Sequence, residues 1–181
     1  MKKEETGIKE LFIIEPRIFE DERGYFFESF NDKHFREHQL NMLFVQDNES
    51  KSKKGVARGF HYQLPPFAQA KLVRVIKGSV QDVVVDMRPG SETKGQHFSI
   101  LLSEENKKQL LIPRGFAHGF LVLEDDTIFS YKCDNFYSKE MEAGFNLLDE
   151  NFDIKWELPK NTFLLSEKDN ALPSFKDAKQ F

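Results

Sequence analysis

Two short segments of the chain each place one histidine among glycines and aromatic residues. The first is Gly55-Val56-Ala57-Arg58-Gly59-Phe60-His61-Tyr62-Gln63, and the second is Ile112-Pro113-Arg114-Gly115-Phe116-Ala117-His118-Gly119-Phe120. Glycine lets a ligand or a neighbouring backbone approach closely, and aromatic rings lower the polarity around a base. A histidine in such surroundings acts either as a hydrogen-bonded core residue or as a general base. The residue types alone leave both interpretations open.

The same two histidines are too few to form a metal site. Metal-binding barrels usually combine a His-x-His pair with a carboxylate and a further histidine. Here His61 is followed two residues later by Gln63, and the second segment contains only His118. Since zinc normally takes three or four protein ligands, we expect no catalytic metal.

Alternation along two predicted strands aligns a lysine and a tyrosine with apolar side chains. In the strand 71–77, Lys71 shares a face with two valines, and in the strand 127–133, Tyr131 shares a face with a phenylalanine and Cys133. A lysine at a strand end commonly extends its amine to water, and a buried tyrosine commonly bonds to the backbone. The pattern alone therefore leaves both side chains as either structural or chemical groups.

The elements that hold these residues are predicted to be short strands separated by turns. Many short strands with few helices are typical of a β-sandwich or a small barrel, and Gly78-Ser79 is interpreted as a tight hairpin. Strands are predicted at Leu11–Ile14, Gly24–Phe30, Leu43–Asn48, Lys71–Lys77, Val80–Met87, His97–Leu102, Gln109–Ile112, Gly119–Leu123 and Thr127–Cys133. Short helical segments are predicted at Asp32–Gln39, Ser103–Lys107 and Ser138–Ala143.

One strand must be irregular if both of its polar residues are to face the same pocket. Arg58 and His61 are three positions apart, which places them on opposite faces of a regular strand. Gly59 lies between them and is suited to a bulge. We therefore predict a kink or bulge near Gly59.

Composition limits the classes of function. The 181 residues suffice for one domain but not for two ordinary ones. The formal net charge of 26 − 30 = −4 argues against non-specific nucleic-acid binding. Cys133 is the only cysteine, so no intramolecular disulfide is expected and a reducing cytoplasm fits. No apolar run approaches the roughly 20 residues needed to span a membrane, and the N-terminus lacks the apolar core of a secretory signal.

Several further motifs follow one another along most of the chain. They are Asp21-Glu22-Arg23-Gly24, Gln46-Asp47-Asn48, Gly55 to Gln63, Ala70-Lys71-Leu72-Val73-Arg74, Ile112 to Leu121, Tyr131 to Tyr137 and Leu165 to Asp169. In this combination the chain resembles the dTDP-4-dehydrorhamnose 3,5-epimerases of the cupin superfamily over residues 8–173. The resemblance implies an all-β fold, a cupin-type jelly-roll β-barrel with a few short helices, formed by residues 1–181 as a single domain.

The resemblance also implies an epimerase that acts on a nucleotide-linked 4-keto sugar without a cofactor. The ketone acidifies the protons on C3 and C5, so a base can remove one and an acid can return a proton to the opposite face. By similarity, His61 is the base, and Asp169 orients it. Lys71 then faces the enolate oxygen, and Tyr131 is the acid. For Asp169, a turn or cap role in the run 166–169 remains the alternative.

A second set of polar residues is implied to bind the dTDP-sugar. The set comprises Arg23, Arg58 and Lys168 for the diphosphate, Gln46, Asp47, Asn48, Glu28 and Glu142 for the base and the sugars, His118 and Lys71 for the hexose, and Tyr137 for stacking on thymine. Arginine suits this role because it binds phosphate bidentately. Residue type alone is equally compatible with solvated surface positions.

The resemblance further implies a cytoplasmic homodimer in which N-terminal strands join the partner's sheet. Arg23 and Glu28 would then serve the neighbouring active site. Alternatives are an enzyme that inverts only C3 or only C5, a ketoisomerase on a related nucleotide sugar, and a non-catalytic sugar-binding barrel. The motifs do not determine which carbons invert. The presence of a complete catalytic set argues against the non-catalytic alternative.

Overall fold

The computed structural model describes residues 1–181 and consists mainly of strands. The strands are β1 (Lys2–Glu5), β2 (Phe12–Glu15), β3 (Phe19–Asp21), β4 (Gly24–Phe26), β5 (Gln46–Ser52), β6 (Ala57–Gln63), β7 (Lys71–Lys77), β8 (Ser79–Asp86), β9 (His97–Ser103), β10 (Gln109–Ile112), β11 (Phe116–Val122), β12 (Thr127–Cys133) and β13 (Glu142–Gly144). The α-helices are α1 (Asp32–Glu37) and α2 (Glu167–Asn170), and 3₁₀ turns lie at Lys139–Met141 and Lys160–Thr162. No helix has the length and apolar content that crossing a membrane requires.

Two antiparallel sheets face each other and form the barrel. The larger sheet has the strand order β1-β2-β10-β7-β12-β5, and the smaller one has the order β13-β6-β11-β8-β9. Their inner faces share one core, which includes Val73, Val84, Phe120 and Phe129. The β3–β4 hairpin pairs with neither sheet. This is the jelly-roll architecture predicted from the sequence.

The outer face of each sheet is covered as well. Phe35 of α1 packs with Leu72 and Leu111 on the larger sheet. Residues that follow β13, including Phe145 and Phe152, cover the smaller sheet. Burial on both faces explains why strands such as β7 and β8 are apolar in successive positions rather than in strict alternation.

The predicted hairpin at Gly78-Ser79 is wrong. β7 and β8 are separated by a single residue, yet they belong to different sheets, so the chain crosses the barrel at this point. Gly78 has a φ of +76°, and a Cβ there would lie 2.3 Å from Thr127 Oγ1. Only glycine accommodates both the left-handed backbone and this close contact.

The remaining differences concern the ends of several strands, two predicted helical segments, and strands β1 and β3, where no strand was predicted. β4 retains only the first part of the predicted strand 24–30, and β5 begins at Gln46 and extends to Ser52. The predicted helical segment after Ser103 is a turn, closed by hydrogen bonds between Ser103 and Asn106. The segment 138–143 is not one helix but a 3₁₀ turn followed by β13, because its end pairs with β6.

The predicted irregularity at Gly59 is confirmed. In the pairing of β6 with β11, His61 lies opposite His118 and Arg58 lies opposite Phe120, so β6 contains one extra residue. Gly59 has a φ of +119°, and a Cβ there would lie 2.5 Å from the backbone of β11. Because opposed residues on neighbouring strands share a face, this bulge brings Arg58 and His61 to the inner face together.

Candidate active site

A polar pocket of about 320 Å³ lies between the two sheets, where β5, β7 and β12 face β6 and β13. Strand alternation delivers its side chains, since every second residue of each strand points inward. Seven residues predicted from the sequence line it: Gln46, Asn48, His61, Lys71, Tyr131, Tyr137 and Glu142. The structure therefore brings most of the predicted set together.

His61 and Asp169 meet at the edge of this pocket. His61 comes from β6 and Asp169 from the short helix α2, and His61 Nε2 lies 2.8 Å from Asp169 Oδ1. The oxygen lies to the side of the ring N–H direction, so the contact is close without being an aligned hydrogen bond. Ser166 caps α2 and donates its hydroxyl to Asp169 Oδ2 at 2.6 Å. The capping interaction thus fixes the carboxylate that faces the histidine.

The environment of Asp169 keeps it ionised. Burial alone would raise its pKa, but the contacts from His61 and Ser166 outweigh burial and hold the pKa of Asp169 at about 2. The amide of Gly59 adds a long contact of 3.5 Å to Oδ1. A carboxylate that is charged and bonded in this way can orient the imidazole and stabilise its protonated form.

Lys71 and Tyr131 lie beside each other on adjacent strands of the larger sheet. Lys71 Nζ is 5.7 Å from the centre of the Tyr131 ring. Burial lowers the pKa of the Lys71 amine and raises the pKa of the Tyr131 phenol, while the positive charge of Arg58 opposes part of the latter shift. Lys71 forms no ion pair, and no protein group accepts a hydrogen bond from the Tyr131 hydroxyl. Both are therefore free to contact a ligand.

β5 contributes two amides to the pocket and directs one predicted residue away from it. Gln46 donates to Asn48 at 3.0 Å, and both line the pocket. Asp47 lies on the opposite face of the strand and forms an ion pair with Lys132 at 2.9 Å. Asp47 therefore does not line this pocket, because successive residues of a regular strand point to opposite faces, and its role in substrate binding stays a prediction.

Three charged or aromatic residues form the mouth of the pocket. Tyr137 donates its hydroxyl to Glu142 at 2.8 Å, and Lys168 pairs with the same carboxylate at 2.6 Å. Burial tends to raise the pKa of Glu142, but the hydrogen bonds from Lys168 and Tyr137 lower it overall. Tyr137 itself is exposed, so one face of its ring remains available.

His118 lies next to His61 but in a different environment. Its Nε2 is 2.8 Å from Asp82 Oδ2, and its ring lies among those of Phe120 and Phe129. Asp82 is fully buried, and its other oxygen has no partner. His118 thus borders the pocket from inside the core and does not line its surface. No three His, Cys, Asp or Glu side chains converge in an arrangement that could hold a metal ion.

Arg23 and Glu28 lie outside the pocket of their own chain. Arg23 pairs with Asp21 at 2.6 Å on the exposed β3–β4 hairpin. Glu28 accepts from Asn31 at 2.8 Å near the start of α1. They are separated from the pocket because this part of the chain pairs with neither sheet.

Sequence reasoning missed five residues in and around the site. Tyr62, Gln63, Gln69 and Cys133 line the pocket, and Asp82 holds His118. A signal for Asp82 was present, because a charged residue interrupts the apolar run 80–85 of a strand buried on both faces. The inner position of Cys133 follows from its alternation with Tyr131.

Comparison with known proteins agrees with this geometry. A family model described as dTDP-4-dehydrorhamnose 3,5-epimerase matches residues 5–177. The protein of that name from Shigella flexneri is 52% identical over 177 residues, which cover 97% of each chain. The crystal structure of the protein of that name from Elizabethkingia anophelis matches with a TM-score of 0.94 at 52% identity, covering 100% of this chain and 99% of that one. The crystal structure of dTDP-6-deoxy-D-glucose-3,5-epimerase from Legionella pneumophila, in complex with dTDP-4-keto-L-rhamnose, matches with a TM-score of 0.92 at 47% identity. The match covers 97% of this chain and 93% of that one.

Fold, pocket and relatives define the class of this protein as an isomerase built on the cupin jelly roll. More particularly, the chain belongs to the dTDP-4-dehydrorhamnose 3,5-epimerase family. The resemblance inferred from the ordered motifs is therefore confirmed.

Proposed function

We propose that this protein converts dTDP-4-dehydro-6-deoxy-D-glucose to dTDP-4-dehydro-L-rhamnose by inverting C3 and C5 of the sugar. The observation that supports this most directly is the placement of His61, held by Asp169, in the same pocket as Lys71 and Tyr131. A base, a cation and a phenol around one cavity are the groups that enolate chemistry requires.

His61 acts as the base. Its Nε2 is engaged by Asp169, so Nδ1 is the ring nitrogen left to remove a proton from carbon. The electrons of the C–H bond move into the C3–C4 or C5–C4 bond, and the ketone oxygen becomes an enolate. The imidazolium that forms is stabilised by the nearby carboxylate.

Lys71 and Tyr131 complete each inversion. The Lys71 amine has no protein counter-ion and is free to face the enolate oxygen, where a positive charge stabilises it. Tyr131 returns a proton to the carbon from the face opposite to His61. Its raised pKa keeps the phenol protonated at neutral pH, as a proton donor must be.

The nucleotide occupies the outer part of the pocket. Arg58 and Lys168 contribute positive charge for the diphosphate. Tyr137 stacks on thymine, and Gln46 and Asn48 hydrogen-bond the base or the deoxyribose. Glu142 contacts the nucleotide beside Tyr137, and His118 borders the hexose. Four of these residues, Gln46, Asn48, Tyr137 and Glu142, line the pocket, and Lys168 pairs with Glu142 at its mouth, which supports this arrangement.

The active unit is a homodimer in which each chain completes its partner's site. β5 lies at the edge of the larger sheet with one side unpaired, and the β3–β4 hairpin carries the exposed aromatic residues Phe19, Tyr25 and Phe26. A hairpin that reaches β5 of the partner would satisfy both features and would bring Arg23 and Glu28 to the partner's nucleotide. We place this single-domain enzyme in the cytoplasm, where its free Cys133 remains reduced.

Subunit complementation tests the shared site. Arg23→Ala and His61→Asn chains are mixed under conditions that exchange subunits. If Arg23 serves the partner's site, each mixed dimer contains one intact site, and a random mixture regains about a quarter of wild-type turnover. No recovery above the two parent variants would place Arg23 in its own chain's site.

Solvent exchange tests the reaction itself. The protein is incubated with the keto sugar in deuterated water, and the label is located by NMR. Deuterium at both C3 and C5 is expected, whereas label at one carbon indicates a single epimerisation and label at neither excludes the enolate mechanism. Thymidine diphosphate should raise the melting temperature more than uridine diphosphate does, because only a bound ligand stabilises the folded state.

A further inference from the structure

Gln63 is a buried residue of the pocket whose hydrogen bonds are all directed to backbone. Its Nε2 donates to Phe67 O at 2.8 Å and to Phe136 O at 3.1 Å, and its Oε1 accepts from Ser138 N at 2.6 Å. The side chain therefore joins the loop after β6 to the loop after β12. Because its amide groups are occupied, it is not available to bind substrate through them.

The loop after β12 depends on such side-chain contacts. Residues 135–137 make no backbone–backbone hydrogen bonds. Phe136 and Tyr137 are 60% and 54% exposed, so packing does not fix them either. Side chains tie this loop to the rest of the protein: Gln63, Gln69, which donates to Asn135 O at 2.8 Å, and Asn135 itself, whose Nδ2 donates to Pro66 O at 3.1 Å and to Ala68 O at 3.4 Å. Of these, only Gln63 binds the backbone on both sides of Tyr137.

Tyr137 is thus held from two directions. Its backbone is flanked by the two positions that Gln63 binds, Phe136 O and Ser138 N. Its hydroxyl is held by Glu142, which lies directly opposite Gln63 in the pairing of β13 with β6. The cross-strand pair Gln63–Glu142 therefore holds both parts of Tyr137: Gln63 holds the backbone on either side of it, and Glu142 holds its hydroxyl.

We propose that Gln63 is a positioning residue for nucleotide binding, which acts by holding the loop 135–138 so that the Tyr137 ring faces the nucleobase. This inference rests on the proposed role of Tyr137 in stacking on the base. Stacking depends on a ring being presented at a fixed height and tilt, and a loop without its own backbone hydrogen bonds loses that orientation when its clamp is removed.

The chain contains a matched control for this clamp. Gln81 on β8 is also buried and binds the backbone of two residues separated by one position. Its Nε2 donates to Lys155 O at 2.8 Å, and its Oε1 accepts from Glu157 N at 2.8 Å. The segment that it holds covers the smaller sheet and does not line the pocket. A change at Gln81 therefore reproduces the loss of a buried glutamine clamp without touching the nucleotide site.

The test compares Gln63→Glu with Gln81→Glu. Each change preserves side-chain size but removes the amide donor and places a carboxyl oxygen against a backbone carbonyl. We expect Gln63→Glu to weaken thymidine diphosphate binding, measured by calorimetry, and to raise KM by about 10-fold, with kcat changing by less than about 3-fold. Gln81→Glu should lower the melting temperature but leave the affinity for thymidine diphosphate and KM within about twofold of wild type.

A double-mutant cycle with Tyr137→Ala identifies the residue through which Gln63 acts. In the Tyr137→Ala background, the same Gln63 change should alter affinity by less than about twofold, because the ring that it positions is absent. The proposal is overturned if folded Gln63→Glu binds as wild type does, if its kcat falls as much as its KM rises, if the effect persists without Tyr137, or if Gln81→Glu weakens binding equally.

Two precautions keep the result decisive. If Gln63→Glu does not fold, Gln63→Met, which has similar volume and no charge, is measured in the same way. Failure of the proposed function is recognised separately, because wild-type protein would then show neither turnover of the keto sugar nor binding of thymidine diphosphate. Normal wild-type behaviour together with normal Gln63 variants would reject only the positioning role.

Discussion

The barrel contains two histidine–aspartate pairs that have the same contact distance and differ in alignment and in access. In each, Nε2 lies 2.8 Å from a carboxylate oxygen, and the two histidines face each other across β6 and β11. The His61 side chain is 27% exposed and lines the pocket, whereas that of His118 is 8% exposed and lies among aromatic rings.

The aspartates differ as well. Both oxygens of Asp169 have partners, which come from His61, Ser166 and the Gly59 amide. Asp82 is fully buried and uses only one oxygen. A histidine–aspartate pair is therefore not enough to specify a base. The base also needs a route to the substrate and a carboxylate whose remaining contacts hold it in place.

Replacing each histidine in turn should give the largest effects on kcat and should separate the roles of the two pairs. We expect His61→Asn to lower kcat by about 10²–10⁴-fold, because a general base is lost, and His118→Asn to lower it by about 10-fold or less. Initial rates with the keto sugar measure both. Thymidine diphosphate binding serves as the control for folding. Equal losses of turnover in the two variants would show that both histidines take part in proton transfer.

Neutralising the orienting carboxylate should have the next largest effect. Asp169→Asn removes the charge that stabilises the His61 imidazolium, and we expect kcat to fall by about 10²-fold with little change in KM. Rates measured across pH, together with circular dichroism, distinguish this effect from unfolding. A variant with wild-type kcat would assign Asp169 to helix capping alone.

The free energy of unfolding at acid pH should depend on the ionisation of the same carboxylate, Asp169. The pKa of Asp169 is held at about 2, below its ordinary value of 3.8, so its contribution to stability is present above pH 3.8 and is lost as the pH falls toward 2. The shift corresponds to at most roughly 2–3 kcal/mol of unfolding free energy. Urea denaturation between pH 5 and about 2 should therefore show a weaker pH dependence for Asp169→Asn than for the wild type. Parallel curves would contradict the ionised pair.

The smallest effect is expected at Asp82. Asp82→Asn keeps the shape of the side chain and loses a charge-assisted hydrogen bond to His118, which should cost about 1 kcal/mol of stability. Turnover should fall by less than about 3-fold, since the pair does not face the pocket. Thermal denaturation and initial rates measure the two quantities. A loss of turnover comparable to that of Asp169→Asn would remove the distinction between the pairs.

The parts of the site that follow from local alternation were predictable. Side-chain periodicity placed Lys71 and Tyr131 on inward faces. The three-residue spacing of Arg58 and His61 required the irregularity found at Gly59. Local rules suffice here because the side-chain direction in a strand is set by the strand itself.

The parts that depend on distant pairing were not predictable. Gly78 carries the signal of a tight turn, but the signal does not tell which sheet the next strand joins. Asp47 lies within a recognisable motif, yet the strand directs it outward to Lys132. The contact of Asp82 with His118 links strands 36 residues apart in the chain, and no local pattern indicates which polar groups will meet.

The extra residue in β6 has a consequence for how this chain can change length. Deleting Gly59 would leave Arg58 and His61 two positions apart, so a regular strand would keep both on the inner face, opposite Phe120 and His118. Removing two residues would leave Arg58 and His61 adjacent, and every position before the deletion would then exchange its inward and outward directions. The segment between Ala57 and His61 should therefore tolerate the loss of one residue more readily than the loss of two.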